Sequence, residues 1–424
     1  MLEEILDRRN LEKALVQVIS NKGSGGVDGM QIDELRDYLN GHYQILKSEI
    51  LEGVYKPSAV KKVEIPKPQG GTRMLGIPTV KDRLIQQAIA QWLSPKYEKQ
   101  FSRNSYGFRP KCNAHQAVLA AQEFLQQGKT YVIEMDLEKF FDKVNHDRLM
   151  ATLSKVVTDK LTLKLVRSYL TSGMMENGMV SQRIEGTPQG SPLSPLLSNI
   201  VLNELDKELE KRGHSYVRYA DDCSIYVRSE KAALRVLASI TKYIEEKLKL
   251  KVNREKTKVS RPTSSVLLGF SFYQRDQKWE IRIAEKSIKR IKEKCKAITQ
   301  RSNGKSTKEK INQLKPIVTG WVNYFIIAKA KTAMRELDKR VRNRLRIGKW
   351  KEWKHAKGRR NNLIRLGINK EKAYQWSYSN KSYSRVAHSP ILGIALNNEY
   401  WQKQGYTGFS LTYFRRTEMQ KTIF

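Results

Sequence analysis

Cysteine is scarce in this chain: Cys112, Cys223 and Cys295 stand far apart and form no CxxC pair. That excludes a disulfide framework and the usual cysteine-rich zinc site, and points to a reducing compartment. Acids are also few, with 43 Asp and Glu against 79 Lys and Arg in 424 residues, for a formal net charge of +36. Proline (12) and glycine (25) are too sparse, and hydrophobic residues at 39% too plentiful, for a disordered basic tail, so a substantial core is expected. No run is apolar long enough to cross a bilayer, and the opening MLEEILDRRN has neither the basic start nor the apolar stretch of a secretory signal. No GxxxxGK[ST] occurs, which removes support for an ATP-driven motor. What is present in excess is positive charge, spread along the chain rather than gathered in one tail. Nucleic acid is the natural counterion for such a body, and a lipid surface the poorer one.

The length predicts two to three domains. Apolar residues Leu2, Ile5, Leu6, Leu11, Leu15 and Ile19 recur near a 3.6-residue period and predict a helix, followed by the flexible NKGSGGVDG and a second helix to about residue 50. Alternating Val and Ile with Lys on both sides of QGG predict a basic hairpin, and IQQAIAQWLSPKYEKQ a helix. TYVIEMD, residues 130–136, reads as a strand ending on an acid, with a helix at NHDRLMATLSKVV. Residues 161–200 read as helix, hairpin, helix, the last entered through PLSPLLSNI. HSYVRYADDCSIYV predicts two strands around an acidic turn, KAALRVLASITKYIEEKL an amphipathic helix, and LLGFSFYQ with KWEIRI a strand pair. The mixture is α+β. From about residue 284 the chain is rich in Lys and Arg, with Met334, Leu337, Val341 and Leu345 on one helical stripe. One such basic run is a solvated helix face; several in succession form a surface able to neutralise many phosphates. Trp321, Tyr324, Trp350 and Trp353 could stack on bases, with core packing expected for most of them.

The strongest local signal is YADD, with Asp221 and Asp222 at the tip of the predicted hairpin and Asp136 ending another strand 85 residues earlier. Adjacent acids repel unless a cation sits among them, although an acidic turn capped by its own backbone is the bland alternative. Nucleotidyl transfer gives a reason for such a set. It needs two metal ions roughly 4 Å apart, one to lower the pKa of a 3′-hydroxyl and one to neutralise the triphosphate. Hard oxygen ligands suit Mg²⁺, so Asp136 and Asp221 are expected to bridge two such ions. Asp222 is expected to bind metal through water, orient the primer end or shape the field. Phe141, just past Asp136, is the candidate ring for excluding a 2′-hydroxyl, while Phe140 reads as a core anchor and Asp142 as a helix cap or ion-pair partner.

Lys67 and Arg73 flank the QGG bend and are candidates for holding a triphosphate, with Arg109 of YGFRP as a neighbour or else a structural ion pair. Gln189 of GTPQGSPLSPL is placed to hydrogen-bond template or nucleotide, and Lys256 to contact primer or phosphate.

The ordered series GVDGM, IPKPQGGTRMLGIPTVKDR, SYGFRP, MDLEKFFDKVNHD, GTPQGSPLSPLLSNI, VRYADDCSIYV, LKVNREKTKV and LLGFSF resembles the reverse transcriptase of bacterial group II introns. LKPIVTGWVNYF and WKEWK resemble that family's maturase or thumb region, so the likeness runs from about residue 25 to 415. It implies a right-hand polymerase, with an N-terminal extension and fingers over 1–130, a palm over 131–283 that includes part of the fingers at about 150–185, and a mainly helical basic thumb/maturase region with a C-terminal basic region over 284–424. It implies RNA-directed DNA synthesis by a magnesium enzyme, with intron RNA, RNA template, DNA primer or target and deoxynucleoside triphosphates as partners, in the bacterial cytoplasm, on RNA or nucleoid DNA. In it, Asp136, Asp221 and Asp222 fall on the catalytic acids, Phe141 on the gating aromatic, Lys67 and Arg73 on the triphosphate-binding pair and Gln189 on the active-site glutamine. Ser191 departs from the glycine many relatives carry, which implies an altered local fit with activity retained. No cysteine follows Cys295, so the paired-histidine, cysteine-metal nuclease of larger members is not expected, and the compact size resembles the class C branch. An RNA-directed RNA polymerase, a splicing cofactor that only binds RNA, and a defence reverse transcriptase are the rival functions. Self-association stays open.

Overall fold

Asp7 divides the first helical run. Its side chain accepts from the N–H of Arg9 at 2.9 Å, so a short helix, Leu2–Ile5, stops and a second, Arg8–Ser20, begins where the apolar period alone reads one helix. The structure is a computed structural model and describes residues 1–66, 70–176 and 178–422. These residues divide into two units, 1–262 and 263–424. The strands in chain order are β1 (Val60–Pro66), β2 (Thr72–Ile77), β3 (Tyr131–Met135), β4 (Met174–Glu176), β5 (Met179–Ser181), β6 (Ser215–Tyr219), β7 (Asp222–Val227), β8 (Lys258–Ser260), β9 (Phe270–Arg275) and β10 (Lys278–Ile283).

The first unit carries two sheets. In one, of order β6-β7-β3-β8, every pairing is antiparallel. Consecutive residues Cys223, Ser224, Ile225 and Tyr226 of β7 are all buried, the mark of a strand covered on both faces. The helices Ala114–Gln126, Ser194–Lys211 and Glu230–Glu246 pack against this sheet. The other sheet has the order β2-β1-β4-β5. Its β1–β2 hairpin is the expected one, but β1 also pairs in parallel with β4 through Val60↔Met174 and Lys61↔Met175, tying together two hairpins that local pattern reads separately. β8, three residues long, is likewise too short to announce itself; pairing with β3 creates it.

The second unit contains the β9–β10 hairpin, grouped with 131–283 on sequence grounds, followed by helices Glu285–Ile298, Thr307–Tyr324 and Lys331–Glu352 and shorter helices to residue 422. The expected stripe Met334, Leu337, Val341 and Leu345 is buried along Lys331–Glu352, each side chain contributing about 1.5–3 kcal/mol. Trp350 and Trp353 are buried edge to face at 5.7 Å, and Trp321 packs on Phe325 and Phe409. These three are core or packing residues, and Tyr324, its hydroxyl donating to the Leu268 carbonyl, is the most exposed of the four.

Candidate active site

The β6–β7 connection is a two-residue turn, Ala220–Asp221, closed by the pair Tyr219↔Asp222. Ala220 takes a left-handed backbone, φ +58°, which costs a non-glycine residue about 1–2 kcal/mol. Arg218 holds it there. The fully buried guanidinium donates to the Ala220 carbonyl at 2.9 Å and to Asn199 Oδ1 at 3.0 Å, and meets the equally buried Asp206 carboxylate through two bonds of 2.7 and 2.5 Å. Beneath the turn lies Gly107, whose carbonyl accepts from Asn199 Nδ2; a Cβ on it would stand 2.3 Å from the Ala220 nitrogen, so only glycine fits. Sequence reasoning missed this support. Its one signal was polar: Asn199, Asn203 and Asp206 recur at helical spacing along one face of a helix whose other buried residues are mainly Leu, Ile, Val and Ser.

Asp136 follows β3, which pairs with β7, so strand pairing carries it toward the same turn. The segment Asn253–Thr257 clasps it: Asn253 N–H donates to the Asp136 carbonyl at 2.8 Å, Asp136 N–H donates to Thr257 Oγ at 3.2 Å, and Lys256 Nζ stands 3.2 Å from the carboxylate. The three acids lie within electrostatic reach of one another. Although Asp222 remains accessible to solvent, crowding by protein and then the charges of Asp221 and Asp136 push its pKa up to about 6. The Asp221 carboxyl is raised too, by burial first and by Asp136, with Arg73 and Lys256 acting in the opposite sense.

Such a cluster is electrostatically frustrated as it stands and would be relieved by divalent cations. Among the described residues no three His, Cys, Asp or Glu side chains form a ready-made metal cage. Carboxylate oxygens are the hard donors Mg²⁺ takes, one or two at a time, with water and phosphate oxygens completing its shell. The donor set fits the ion.

Arg73 of β2 reaches the same region, and its Nε–H donates to Gln189 Oε1 at 2.6 Å. The Gln189 carbonyl accepts from Gly76 N–H at 2.9 Å, and Gly190, at φ +122°, lets the two segments close up, since a Cβ there would stand 2.9 Å from the Gly76 oxygen. Ser191 is buried and its hydroxyl donates to Gln86 Oε1, anchoring this turn to the helix Val80–Glu98. On the other side Thr187 N–H donates to the Phe141 carbonyl at 2.6 Å, and Phe141 is nearly buried against Phe140 at 5.4 Å. Lys67 lies outside the described residues.

Of the two readings of Arg109, the structure shows the ion pair. Its guanidinium binds Glu98 in bidentate fashion and also donates to the carbonyls of Ser102 and Ser105, so each of its nitrogens has a protein acceptor. Lys256, expected on primer or phosphate, forms an ion pair with Asp136. Asp142, read as a helix cap or ion-pair partner, caps no helix, since Lys139 precedes the short helix Phe140–Lys143; its carboxyl is raised by burial and countered by the charges of Arg183, Lys139, Lys143 and Arg73.

Residues 65–272 match the family described as reverse transcriptase (RNA-dependent DNA polymerase), and residues 288–367 match the group II intron, maturase-specific domain. Protein YkfC of Escherichia coli K12 is 32% identical over 289 residues, 59% of this chain and 76% of that protein. The group II intron-encoded protein LtrA of Lactococcus lactis is 30% identical over 196 residues, 46% of this chain and 32% of that one, and a putative COX1/OXI3 intron 2 protein of Saccharomyces cerevisiae is 29% identical over 50% of this chain and 25% of its own. The alignments thus cover about three quarters of the bacterial protein but a third or less of the two intron proteins.

Proposed function

The chain belongs to the family of group II intron-encoded reverse transcriptases and maturases, and from that premise we propose that it extends a DNA 3′ end on an RNA template by two-metal nucleotidyl transfer. In this reading the β6-β7-β3-β8 sheet is the palm, the β2-β1-β4-β5 sheet belongs to the fingers, and the basic helices after residue 284 form the thumb and maturase region. The observation that carries it is the convergence of Asp136, Asp221 and Asp222, where burial first and then the charges of Asp221 and Asp136 raise the Asp222 pKa to about 6.

Asp136 and Asp221 would hold the Mg²⁺ ions, which supply activation of the 3′-hydroxyl and neutralisation of the triphosphate. The chain's own work is positioning. Arg218, Asp206 and Asn199 fix the turn that presents Asp221; Arg73, oriented by Gln189, meets the triphosphate; Phe141, held at its carbonyl by Thr187, limits room at the sugar. Lys256, exposed beside the Asp136 carboxylate, is placed to meet a primer or nucleotide phosphate.

Primer extension on an RNA template with Mg²⁺ tests this directly. Asp221→Asn should lower the rate by about a hundredfold or more, the loss typical of removing one group that stabilises charge in the transition state. Full activity in that variant would end the proposal. Phe141→Ala should admit ribonucleotides, and unchanged discrimination would remove the gate. The maturase-specific match supports a second activity, binding intron RNA and assisting its splicing. No helix among the described residues is long and apolar enough to cross a membrane. An Asp221→Asn protein that still supports splicing separates the two roles.

A further inference from the structure

A cavity of about 240 Å³ in the second unit plays no part in that mechanism. It lies between the helix Lys331–Glu352, the short helix Asn398–Lys403 and the start of the helix Gly408–Thr422. Only the first of these walls falls within 288–367, so the other two lie beyond either family match. Its polar lining is rich in donors: Arg335, Arg342, Asn398, Gln402 and Ser410 bring guanidinium, amide and hydroxyl groups. Trp401 lines the same cavity, and its indole N–H is buried with no acceptor among the described residues.

The one acid in the wall, Asp338, is already satisfied. It accepts from the Tyr406 hydroxyl at 3.1 Å and from the N–H groups of Phe409 and Ser410 at 2.7 and 2.8 Å, with Arg342 at 3.8 Å. These bonds fix the start of the last helix. Gly408 is required there, because a Cβ on it would stand 2.4 Å from the Asp338 carboxylate. Arg335, by contrast, is exposed and makes no hydrogen bond or ion pair among the described residues. A small recess with two guanidinium groups and surplus donors suits a compact anion that accepts on several oxygens better than a wholly apolar ligand, although Trp401 and Leu411 add apolar wall.

We propose that this recess is a phosphate site and that its occupant is a backbone phosphodiester of a bound polynucleotide, held by charge and donors without reading the base. Arg335, Asn398 and Gln402 are exposed, so a strand can pass across the recess with one phosphate lowered in. The inference rests on the reading of the chain as a nucleic-acid enzyme, and its test separates the two.

The full chain is titrated with oligouridylate and with an unrelated single-stranded RNA over a range of salt, as wild type, Arg335→Gln and Gln402→Glu. Arg335→Gln should reduce the slope of log affinity against log salt by about 0.7, one phosphate contact on a single strand, equally for both RNAs. Gln402→Glu should weaken both at low salt, and primer extension at saturating template should stay unchanged in either variant. Slopes and affinities unchanged in both variants, with the wild type binding normally, overturn the site and leave the polymerase reading standing. Inorganic phosphate, titrated by calorimetry, separates the sources. If Arg335→Gln abolishes its binding and leaves the RNA slopes unchanged, the recess takes a free anion and the polynucleotide assignment fails. A wild type that binds neither RNA sinks both readings.

Discussion

Arg218 carries more of the site than its place in a strand suggests. It is fully buried, as is Asp206, and the pair also satisfies Asn199 and the strained Ala220 carbonyl. Removing one partner leaves an uncompensated buried charge, so Asp206→Asn should lower unfolding free energy by about 3–5 kcal/mol, measured by urea denaturation. Replacing both, Arg218→Met with Asp206→Leu, should restore much of that stability and little of the activity, because the Ala220 carbonyl still lacks its donor. Recovery of activity along with stability would show that the turn does not need Arg218. His146 gives a pH signature. Its Nε2 lies 2.7 Å from the Gly186 carbonyl, burial holds its pKa below the ordinary 6.5, and Arg183 adds to that while the hydrogen bond opposes it. The unfolded chain therefore takes up the proton first as pH falls. The stability contributed by neutral His146 is present above pH 6.5 and is lost progressively below it, toward the lowered folded value. His146→Gln should flatten the dependence of melting temperature on pH between about 5 and 7, the range in which an ordinary histidine titrates.

At the level of elements, tying points decide which segments cooperate. Asp338 sits within the helix Lys331–Glu352 yet binds the first amides of the helix Gly408–Thr422 and the Tyr406 hydroxyl. Asp338→Ala leaves several buried donors without an acceptor and should cost the second unit about 3 kcal/mol or more. Tryptophan fluorescence reads this, since Trp321 packs edge-on against Phe409 next to the lost bonds. Strand pairing is the other kind of tie. The β1–β2 hairpin was legible because its alternation and QGG bend are local, whereas the parallel β1–β4 pairing and the three-residue β8 were not, since each exists only through a partner distant in sequence. The division of the first helix at Asp7 was legible in principle, as Asp is a strong N-cap, but the continuing apolar period masked it.

For the whole molecule the governing quantity is the net charge of +36, which opposes compaction until a polyanion binds. RNA of any sequence should raise the melting temperature at low salt, and the rise should shrink steeply as salt increases. A thermal shift indifferent to salt would argue that the basic surfaces are not phosphate-binding. What the sequence determined alone was chemistry and order. The acids, the aromatic after Asp136, the glycine-rich bends and the basic helices are written in residue type and short-range spacing, and both depend only on neighbours along the chain. The tertiary structure decided how those parts are supported and which are available. It spends Arg109 on Glu98, orients Arg73 through Gln189, and places Arg218, Asp206, Asn199 and Gly107 under the Asp221 turn. A buried ion pair or an unoccupied arginine is a property of convergence between distant segments, and no local pattern encodes which segments will meet.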